Sequence, residues 1–489
     1  MAEQKTRKEM TPEQVQELDD LFAKARAAQK IIETYDQAKV DRLIQAVAWS
    51  VANTTTFHRL VEMGIEESGL GDYASRMNKR MKIRGVLRDA LRQPSVGVIE
   101  EDPERGLVKY GKPAGIIGCI VPTTNPDLTP AGNAIYAIKA RDVVIFSPHP
   151  RSQKTTFETV RLMREALEAE GAPADILQCI TQPSLLVSQA LMKRADLIIA
   201  TGGQALVRQA YSSGKPAYGV GAGNATEFLD ETADIKATAM NCMLSKTSDF
   251  GSGCSADGNV LVPRSKYDEM LDALAEVGGY RATAEQRSAL DTVMWDAEGH
   301  RLPDTVAISP QKLAQAAGFE IPAAAKFIFV EGTGIGEEHH FCKEKLTTLM
   351  AVHPYDGSFE DGVALALELY EVGGKGHSCG IASNDDEHID YFGKMMPVSR
   401  IMVNQPNSRA NAGAFNNGMP MTSSMGCGTW GGNIISENVT LKHYMNTTWV
   451  SRKIAVDRPS DAELFGDFYD PAMEPDGEAK PTDAAVTVS

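Results

Sequence analysis

Long apolar runs are missing from this chain of 489 residues. A membrane-spanning helix needs about 20 consecutive apolar residues, and no stretch of the sequence reaches that length. The first residues, MAEQKTRKEMTPEQVQELDD, also lack the apolar segment of a secretory signal. The sequence therefore predicts a cytoplasmic protein with no membrane partner.

Cysteines are few and scattered. The chain has seven, and no two of them form a Cys-x-x-Cys pair. An odd number of unpaired cysteines argues against a disulfide framework and against a zinc knuckle, and it fits a reducing compartment. We expect no metal site.

Basic residues are also in deficit, since 49 Lys and Arg stand against 65 Asp and Glu and give a net charge of −16. An acidic protein repels a phosphate backbone, so nucleic acid is not an expected partner. The hydrophobic content of 43% and charged content of 23% are typical of a globular protein. Because a single core stops growing at about 250–300 residues, the length predicts two domains.

The first half of the chain changes pattern along its length. Residues 11–93 have helical periodicity and begin with a Thr-Pro-Glu start signal, and residues 95–115 have the pattern of two strands around an acidic turn. Between 115 and 230, short Ile- and Val-rich runs such as GIIGCIVP and DVVIF alternate with helical segments. This alternation is typical of βαβ units and predicts a parallel sheet.

A second alternation of strands and helices covers residues 250–430, with predicted strands at NVLVP, TVAIS, KFIFV, LMAVHPY, HSCGIAS and RIMVNQ. We therefore expect an α/β fold with a cofactor-binding domain at 1–248 and a second α/β domain at 249–430. The segment 431–456 is expected to return to the first domain or to reach a partner chain. The acidic tail at 465–489, rich in Pro and Ala, is expected to be disordered.

Nucleotide-binding candidates follow the predicted strands of the first domain, because ligands of open α/β sheets bind at the carboxyl ends of the strands. These candidates are the segments VPTTNP, SPHPRS and TGGQAL. In the last, Gly202 and Gly203 allow a close turn into a helix whose N–H groups face a phosphate, although an ordinary strand-to-helix turn explains them equally well. The segment GVGAGN at 219–224 lacks the full spacing of a dinucleotide fingerprint and is interpreted as a loop.

Two cysteines are candidates for a reactive thiol. Most cysteines are small core residues, and several here lie inside predicted strands or helices. Cys254, in SDFGSGCSADGNVLVP, follows Gly251 and Gly253 near the predicted domain boundary, where a thiol is accessible. Cys427, in SMGCGTWGG, has a similar neighbourhood. From these residues alone, the nucleophile and the core interpretation both stay open.

Several stretches, taken in order, resemble the CoA-acylating branch of the aldehyde dehydrogenase superfamily. They are TTNPDLTPAGNAIYAIKARDVVIFSPHPRS, ATGG, AYSSGKPAYGVGAGN, CKEKL, NQPN, FNNG and MGCGTWGGNIISENVTLKH. The resemblance covers residues 10–455 and implies a Rossmann-like cofactor domain, an α/β catalytic domain with the nucleophilic cysteine, and a small β oligomerisation arm. The arm would consist of 95–111 and a segment near 440–455, and the protein would be a homo-oligomer, a dimer or a tetramer.

The resemblance also implies the catalytic residues. Cys254 matches the nucleophile that forms a thioester with the aldehyde carbon, and Asn125 matches the oxyanion-hole amide. Coenzyme A then takes the acyl group. Val220 stands where hydrolytic members carry a glutamate that activates water, which favours CoA as the acceptor. His377 matches a histidine of acylating members and is expected to orient CoA, to transfer a proton, or to be structural.

Cofactor binding is implied for a larger set, in which Glu344 matches the residue that binds the nicotinamide ribose. We expect NADP, with NAD as the alternative, because the Arg151 guanidinium, with Lys154 nearby, matches the geometry of a 2′-phosphate. No acidic residue occurs between 147 and 156. The full set is Thr123, Thr124, Ser147, Pro148, His149, Arg151, Thr201, Gly202, Gly203, Val220, Gly221 and Glu344.

For the substrate, the residues most resemble members that act on small anionic aldehydes, namely sulfoacetaldehyde and succinic semialdehyde. The segment NQPNSRANAGAFNNG contains Arg409, which is expected to pair with the anion, because an unpaired buried anion is costly. The expected substrate residues are Arg409, Asn416 and His377, with further hydrogen bonds from Asn404, Asn407 and Ser408. The alternatives are an acetaldehyde or propionaldehyde enzyme, and a non-catalytic scaffold of the same fold.

Overall fold

The computed structural model describes residues 9–221 and 223–473. Its strands form a five-stranded sheet, a seven-stranded sheet and a three-stranded sheet. Both larger sheets pair their strands in parallel, and helices connect many of the strands. The α/β fold class is therefore confirmed. Within the described residues, no helix combines the length and the apolar character needed to cross a membrane.

The first unit holds the five-stranded sheet, in the order β5-β4-β3-β6-β7. Its strands are β3 (Ile116–Ile120), β4 (Val143–Ser147), β5 (Leu177–Cys179), β6 (Leu197–Thr201) and β7 (Ala217–Val220). Its helices are α1 (Pro12–Ile32), α2 (Gln37–Ala52), α3 (Thr54–Ser68), α4 (Tyr73–Asn78), α5 (Arg80–Leu91), α6 (Leu128–Ala140), α7 (Gln153–Ala169), α8 (Leu185–Arg194) and α9 (Gln204–Tyr211).

Local sequence explains these elements. The Thr11 hydroxyl accepts a hydrogen bond from the backbone N–H of Gln14, whose side chain accepts one from the N–H of Thr11, so a capping box starts α1 next to Pro12. Every residue of β3 and β4 is buried. Strands covered on both faces have continuous apolar runs, which is why the sequence pattern identified them.

The second unit holds the seven-stranded sheet, in the order β10-β11-β12-β9-β8-β13-β14. Its strands are β8 (Thr226–Leu229), β9 (Asn259–Pro263), β10 (Gly279–Arg281), β11 (Phe327–Glu331), β12 (Leu349–Tyr355), β13 (Cys379–Ala382) and β14 (Ile401–Val403). Its helices are α10 (Ile235–Lys246), α11 (Tyr267–Glu276), α12 (Ala284–Met294), α13 (Pro310–Ala316), α14 (Phe359–Gly373), α15 (Asp386–Met395) and α16 (Asn407–Ala410).

The boundary between the two units differs from the expected one at residue 248. Strand β8 pairs with β9 and β13 of the second sheet, and helix α10 packs against α11. Both elements precede residue 248, so the second unit begins between β7 and β8. The run TVAIS, predicted as a strand, is also not one. Pro303–Thr305 form a 3-10 turn, and Ala307 has a left-handed φ of 54°, which interrupts an extended chain.

The third sheet is antiparallel, in the order β1-β2-β15, with strands β1 (Gly97–Asp102), β2 (Leu107–Pro113) and β15 (Met445–Ser451). The two segments predicted to form an arm are thus paired. Beyond them, α17 (Asp461–Phe465) is followed by 3-10 turns at Gly466–Phe468 and Pro471–Met473. Of the tail predicted to be disordered, residues 474–489 lie outside the described residues.

Candidate active site

A cavity of about 1110 Å³ lies where the carboxyl ends of β3, β6 and β7 face the loops of the second unit. Residues 120–125, 201–203 and 220–221 line it from the first unit, and residues 248–249, 252–255, 408–409 and 411–415 contribute from the second. The cavity is large enough for a dinucleotide-sized ligand next to a small substrate, since ligand pockets are typically about 300–1,000 Å³.

Cys254 lies on the wall of this cavity. All seven cysteines are described; Cys254 alone is partly exposed, whereas Cys427 is 1% exposed. The Cys254 Sγ lies 2.9 Å from the Nε2 of His377. Burial, and then the nearby Glu344 carboxylate, raises the pKa of the Cys254 thiol to about 12. The sulfur is therefore a thiol at neutral pH, and a base is in contact with it.

His377 contacts the sulfur from the protein side, because it is 2% exposed and is not on the cavity wall. Burial, with a smaller effect of the Arg400 guanidinium, holds the pKa of His377 well below its usual value, so the ring is neutral. Its Nδ1 lies 2.8 Å from the Ser378 hydroxyl, which also accepts a hydrogen bond from Asn411. When Nδ1 carries the ring proton, its N–H donates a hydrogen bond to the Ser378 hydroxyl, and the lone pair of Nε2 then faces the Cys254 sulfur.

The turn before Cys254 is strained. Asp249, Phe250 and Gly251 have consecutive φ values of 50°, 51° and 68°, a region that side chains other than glycine rarely adopt. The buried Asp249 carboxylate offsets this strain, since it binds the Lys79 ammonium at 2.6 Å, the Arg76 guanidinium at 3.2 Å and the hydroxyl of Ser252 at 3.0 Å. Burial opposes ionisation, but Lys79 and Arg76 keep the pKa of Asp249 below its usual value.

Lys79 connects this turn to the candidate oxyanion amide. Its Nζ also donates to the Oδ1 of Asn125 at 2.7 Å and to the backbone carbonyl of Thr124 at 3.1 Å. Because the Asn125 oxygen faces the ammonium, the amide orientation is fixed, and the Nδ2 points away from Lys79. That group makes one weak contact, at 3.3 Å, with the Thr124 hydroxyl. It thus retains a donor for a developing oxyanion in the cavity.

Glu344 lines the same cavity. Its Oε1 accepts a hydrogen bond from the backbone N–H of Gly223 at 3.0 Å, and burial raises the pKa of the carboxyl to about 7. Position 223 requires glycine, since a Cβ there would lie 2.0 Å from the carbonyl oxygen of Cys254. The loop after β7 therefore packs directly against the backbone of Cys254.

Comparison with known proteins identifies the family. Residues 2–287 match the model of the aldehyde dehydrogenase family. A sulfoacetaldehyde dehydrogenase of Acholeplasma sp is 42% identical over 91% of this chain and 93% of its own length. The chain belongs to the aldehyde dehydrogenase family, in its acylating branch.

Two further relatives agree. A succinate-semialdehyde dehydrogenase (acetylating) of Clostridium kluyveri is 37% identical over 92% of this chain and 99% of its own length. The crystal structure of an acetylating aldehyde dehydrogenase from Geobacillus thermoglucosidasius superimposes with a TM-score of 0.87 at 35% identity, covering 92% of this chain and 99% of that one. The resemblance found in the sequence, to acylating aldehyde dehydrogenases, is confirmed.

Most of the predicted site residues of this aldehyde dehydrogenase lie together on the cavity wall. The exceptions are Ser147, Arg151, His377 and Asn416. Ser147 is buried and bonds to Ser188, and Asn416 is exposed on the surface. The residues on the wall are Thr123, Thr124, Asn125, Pro148, His149, Thr201, Gly202, Gly203, Val220, Gly221, Cys254, Glu344 and Arg409.

Arg151 and Lys154, which were predicted to bind the 2′-phosphate of the cofactor, have other partners in the structure. Arg151 donates to the backbone carbonyl of Ser68 at 2.9 Å. The backbone N–H groups of Lys154 and Thr155, at the start of α7, donate to the Glu67 carboxylate at 2.7 and 2.9 Å. The local sequence has no acidic residue here, but helix α3 brings Glu67 to this point. The charge at the start of α7 is thus mixed.

The predicted substrate loop is partly turned away from the cavity. Arg409 is exposed at the cavity wall, and Ser408 also lines it. Asn404 is instead hydrogen-bonded to Ser383, and Asn407 is buried away from the cavity. Lys82 of α5, which was not predicted from the sequence, is on the wall beside Arg409.

Three other charged residues organise the site and were not predicted from the sequence, namely Lys79, Asp249 and Arg400. Arg400 is buried behind His377, and its guanidinium donates to the carbonyl oxygens of His377 at 2.8 Å and Gly426 at 2.6 Å. A signal did exist for Asp249, because it stands five residues before Cys254 in a Gly-rich segment. No local pattern distinguishes Lys79 or Arg400 from surface charges.

Proposed function

We propose that this acylating aldehyde dehydrogenase oxidises a small anionic aldehyde, sulfoacetaldehyde first, and transfers the acyl group to coenzyme A. The observation that carries the chemistry is the contact of 2.9 Å between Cys254 and His377 on the wall of a large cavity. Support for the substrate comes from the Acholeplasma relative, which is a sulfoacetaldehyde dehydrogenase, and from the cation Arg409 at the cavity.

In the first step, the Nε2 of His377 takes the proton of the Cys254 thiol, and the thiolate attacks the aldehyde carbon. The thiol pKa of about 12 makes this base necessary at neutral pH. As the carbon–sulfur bond forms, the carbonyl oxygen becomes an oxyanion. The Nδ2 of Asn125, whose orientation Lys79 fixes, donates to that oxygen.

The cavity residues fit a nicotinamide dinucleotide. The carboxyl ends of β3, β6 and β7, where α/β sheets bind nucleotides, line one end, and Gly202 and Gly203 lead there into helix α9. Glu344 lines the end near Cys254 and is the candidate for the nicotinamide ribose. When bound, this cofactor accepts the hydride of the aldehyde carbon, so that the aldehyde is oxidised by two electrons and Cys254 holds a thioester.

In the last step, the thiol of coenzyme A attacks the thioester carbon, and the Cys254 sulfur leaves as acyl-CoA forms. The departing Cys254 thiolate takes back the proton that His377 accepted in the first step, and the proton of the CoA thiol is released to solvent. Val220 lines the cavity where hydrolytic members carry a general base, so water is poorly activated. One thioester is exchanged for another, and the reaction therefore also runs in reverse.

The test is a panel of aldehydes measured with and without CoA by cofactor absorbance at a fixed enzyme concentration. We expect CoA-dependent reduction of the cofactor, with sulfoacetaldehyde turned over more efficiently than acetaldehyde or propionaldehyde. A preference for neutral aldehydes would contradict the anionic substrate. Faster turnover of succinic semialdehyde, the substrate of the Clostridium relative, would retain the anionic class and change the substrate. A non-catalytic scaffold would show no turnover at all.

For the cofactor we propose NADP, with NAD as the alternative. Arg151 supplies a cation near the adenosine end, whereas Glu67 supplies a carboxylate that disfavours a second anion at the start of α7. We expect Arg151→Ala to raise the KM for NADP more than the KM for NAD. Glu67→Gln should lower the KM for NADP. Equal KM values for both cofactors, unchanged in both variants, would contradict this assignment.

We also propose that the sheet β1-β2-β15 is an oligomerisation arm, because its strand β15 is exposed over six of seven residues and carries Trp449, which is 56% exposed. A dimer or a tetramer is expected in solution. Trp449→Glu should shift the mass measured by light scattering towards the monomer, and an unchanged mass would contradict a role of β15 in the interface.

A further inference from the structure

Lys82 differs from the other charged groups on the cavity wall. It lies on α5, one turn after Lys79, and its ammonium donates to the backbone carbonyls of Arg409, at 3.2 Å, and Gly413. Among the residues that the structure describes, no carboxylate forms an ion pair with it, and its pKa is lowered to about 8 by loss of solvent alone. It is thus a partly buried cation without a counter-ion.

The other lysine of this wall is already occupied. The Lys79 ammonium is held by Asp249, Asn125 and the Thr124 carbonyl. An ammonium has three N–H donors, and Lys82 uses two of them on carbonyl groups. The third donor and the full positive charge of Lys82 remain available on the wall of a cavity that also contains Cys254.

We propose that the Lys82 ammonium binds the acid group, a sulfonate or a carboxylate, at the far end of the aldehyde substrate. This inference rests on the proposed function and names the residue that selects its substrate class. An anion supplies the missing counter-ion, and the resulting hydrogen bond is charge-assisted at both ends. Lys82 lies on helix α5 and its ammonium is held by two backbone carbonyls, whereas Arg409 is exposed on the cavity wall.

The test compares Lys82→Met and Lys82→Arg with the wild type on matched aldehydes. Sulfoacetaldehyde and succinic semialdehyde are the anionic probes, and propionaldehyde and butyraldehyde are the neutral ones. We expect Lys82→Met to raise the KM for the anionic probes by roughly 10- to 100-fold, the effect of losing a hydrogen bond to a charged group. The KM for the neutral probes should change by less than about threefold. Lys312→Met, on helix α13, is the matched control and should leave both classes unchanged.

The pH dependence of the substrate preference is a second readout. It can be measured on the wild type and does not depend on the Lys82→Met variant. Lys79, Asp249 and Arg409 are the charged groups that share this part of the wall. Lys82 carries its charge below pH 8 and loses it above, since its pKa is about 8. The ratio of kcat/KM for an anionic probe to that for a neutral probe should therefore fall in the wild type above pH 8, by up to about tenfold per pH unit. In Lys82→Arg, which stays charged, the ratio should remain constant.

The outcomes separate this inference from the proposed function. If the wild type prefers neutral aldehydes, the proposed function fails, and the inference fails with it. If the wild type prefers anionic aldehydes and Lys82→Met keeps that preference, the inference alone is wrong. If Lys82→Met loses activity equally on anionic and neutral aldehydes at an unchanged Tm, the inference is wrong, and Lys82 holds the 409–413 loop in place instead of binding the anion. If Lys82→Met does not fold, a constant ratio between pH 7 and 10 in the wild type would overturn the inference.

Discussion

Replacement of His377 tests how Cys254 becomes a nucleophile. The thiol pKa of about 12 leaves a small thiolate fraction at neutral pH, about one molecule in 10⁵ at pH 7 if no base assists. The contact of 2.9 Å with His377 supplies that base. General bases typically contribute about 10²- to 10⁴-fold. We therefore expect His377→Ala to lower kcat/KM at pH 7 by a factor in this range.

The pH profile of His377→Ala should differ from that of the wild type. Without the histidine, hydroxide must remove the thiol proton, so the thiolate fraction rises about tenfold with each pH unit until the thiol pKa is reached. The rate of the variant should rise accordingly between pH 7 and 10. The wild-type profile should be flatter, because the neutral imidazole already faces the sulfur.

Alkylation measures the same step without aldehyde, cofactor or CoA. Iodoacetamide should modify Cys254 more slowly in His377→Ala, as followed by the mass of the peptide that contains it. His388→Gln is the matched control, since His388 bonds to Asp230 away from the site, and His377→Gln tests whether the packing alone matters. Wild-type alkylation and a wild-type pH profile in His377→Ala, with a raised KM for CoA, would refute the base and assign His377 to CoA binding.

Three further changes test the remaining groups. Cys254→Ala should abolish aldehyde-dependent cofactor reduction at an unchanged Tm, whereas Cys427→Ala should not, and the opposite result would reassign the nucleophile. Asn125→Ala should lower kcat by about 10²- to 10³-fold. Adding Lys79→Met to this variant should lower kcat little further, because both changes act on the same Asn125 amide. If the two effects on the rate measured by stopped flow were fully additive, the contact between Lys79 and Asn125 would have no role in catalysis. Val220→Glu should release free acid without CoA, measured by chromatography, whereas Val220→Gln should not.

The sequence predicted the elements whose physics is local. Buried parallel strands such as β3 and β4 are continuous apolar runs, and Thr11 marks the start of α1 by its capping pattern. The run TVAIS at 305–309 has a β propensity similar to that of these strands, but Ala307 adopts a left-handed conformation in the structure. Propensity failed there because neighbouring residues, not the run itself, decide the backbone.

The charged network of the site could not be predicted from the sequence, because its partners are far apart along the chain. Lys79 and Asp249 are 170 residues apart, and Glu67 and Lys154 are 87 apart. A single lysine on a polar helix looks like a solvated charge, and only the packing of α5 on the cavity shows otherwise. The candidate nucleophile Cys254 was easier to single out because Gly251 and Gly253 precede it, and the resemblance to a family then favoured it over Cys427.

The position of His377 has a consequence for the choice between water and CoA. His377 reaches the Cys254 sulfur from the protein side and is not on the cavity wall, so it is not placed to activate a water molecule that enters the cavity. Of the described wall carboxylates, Asp249 is bound by Lys79 and Ser252, and Glu344 by the Gly223 N–H. Val220, at the position where the resemblance implies the glutamate of hydrolytic members, supplies no base either. We therefore propose that a thiol, which is intrinsically more nucleophilic than water, has the advantage at this site and that acyl transfer is favoured over hydrolysis.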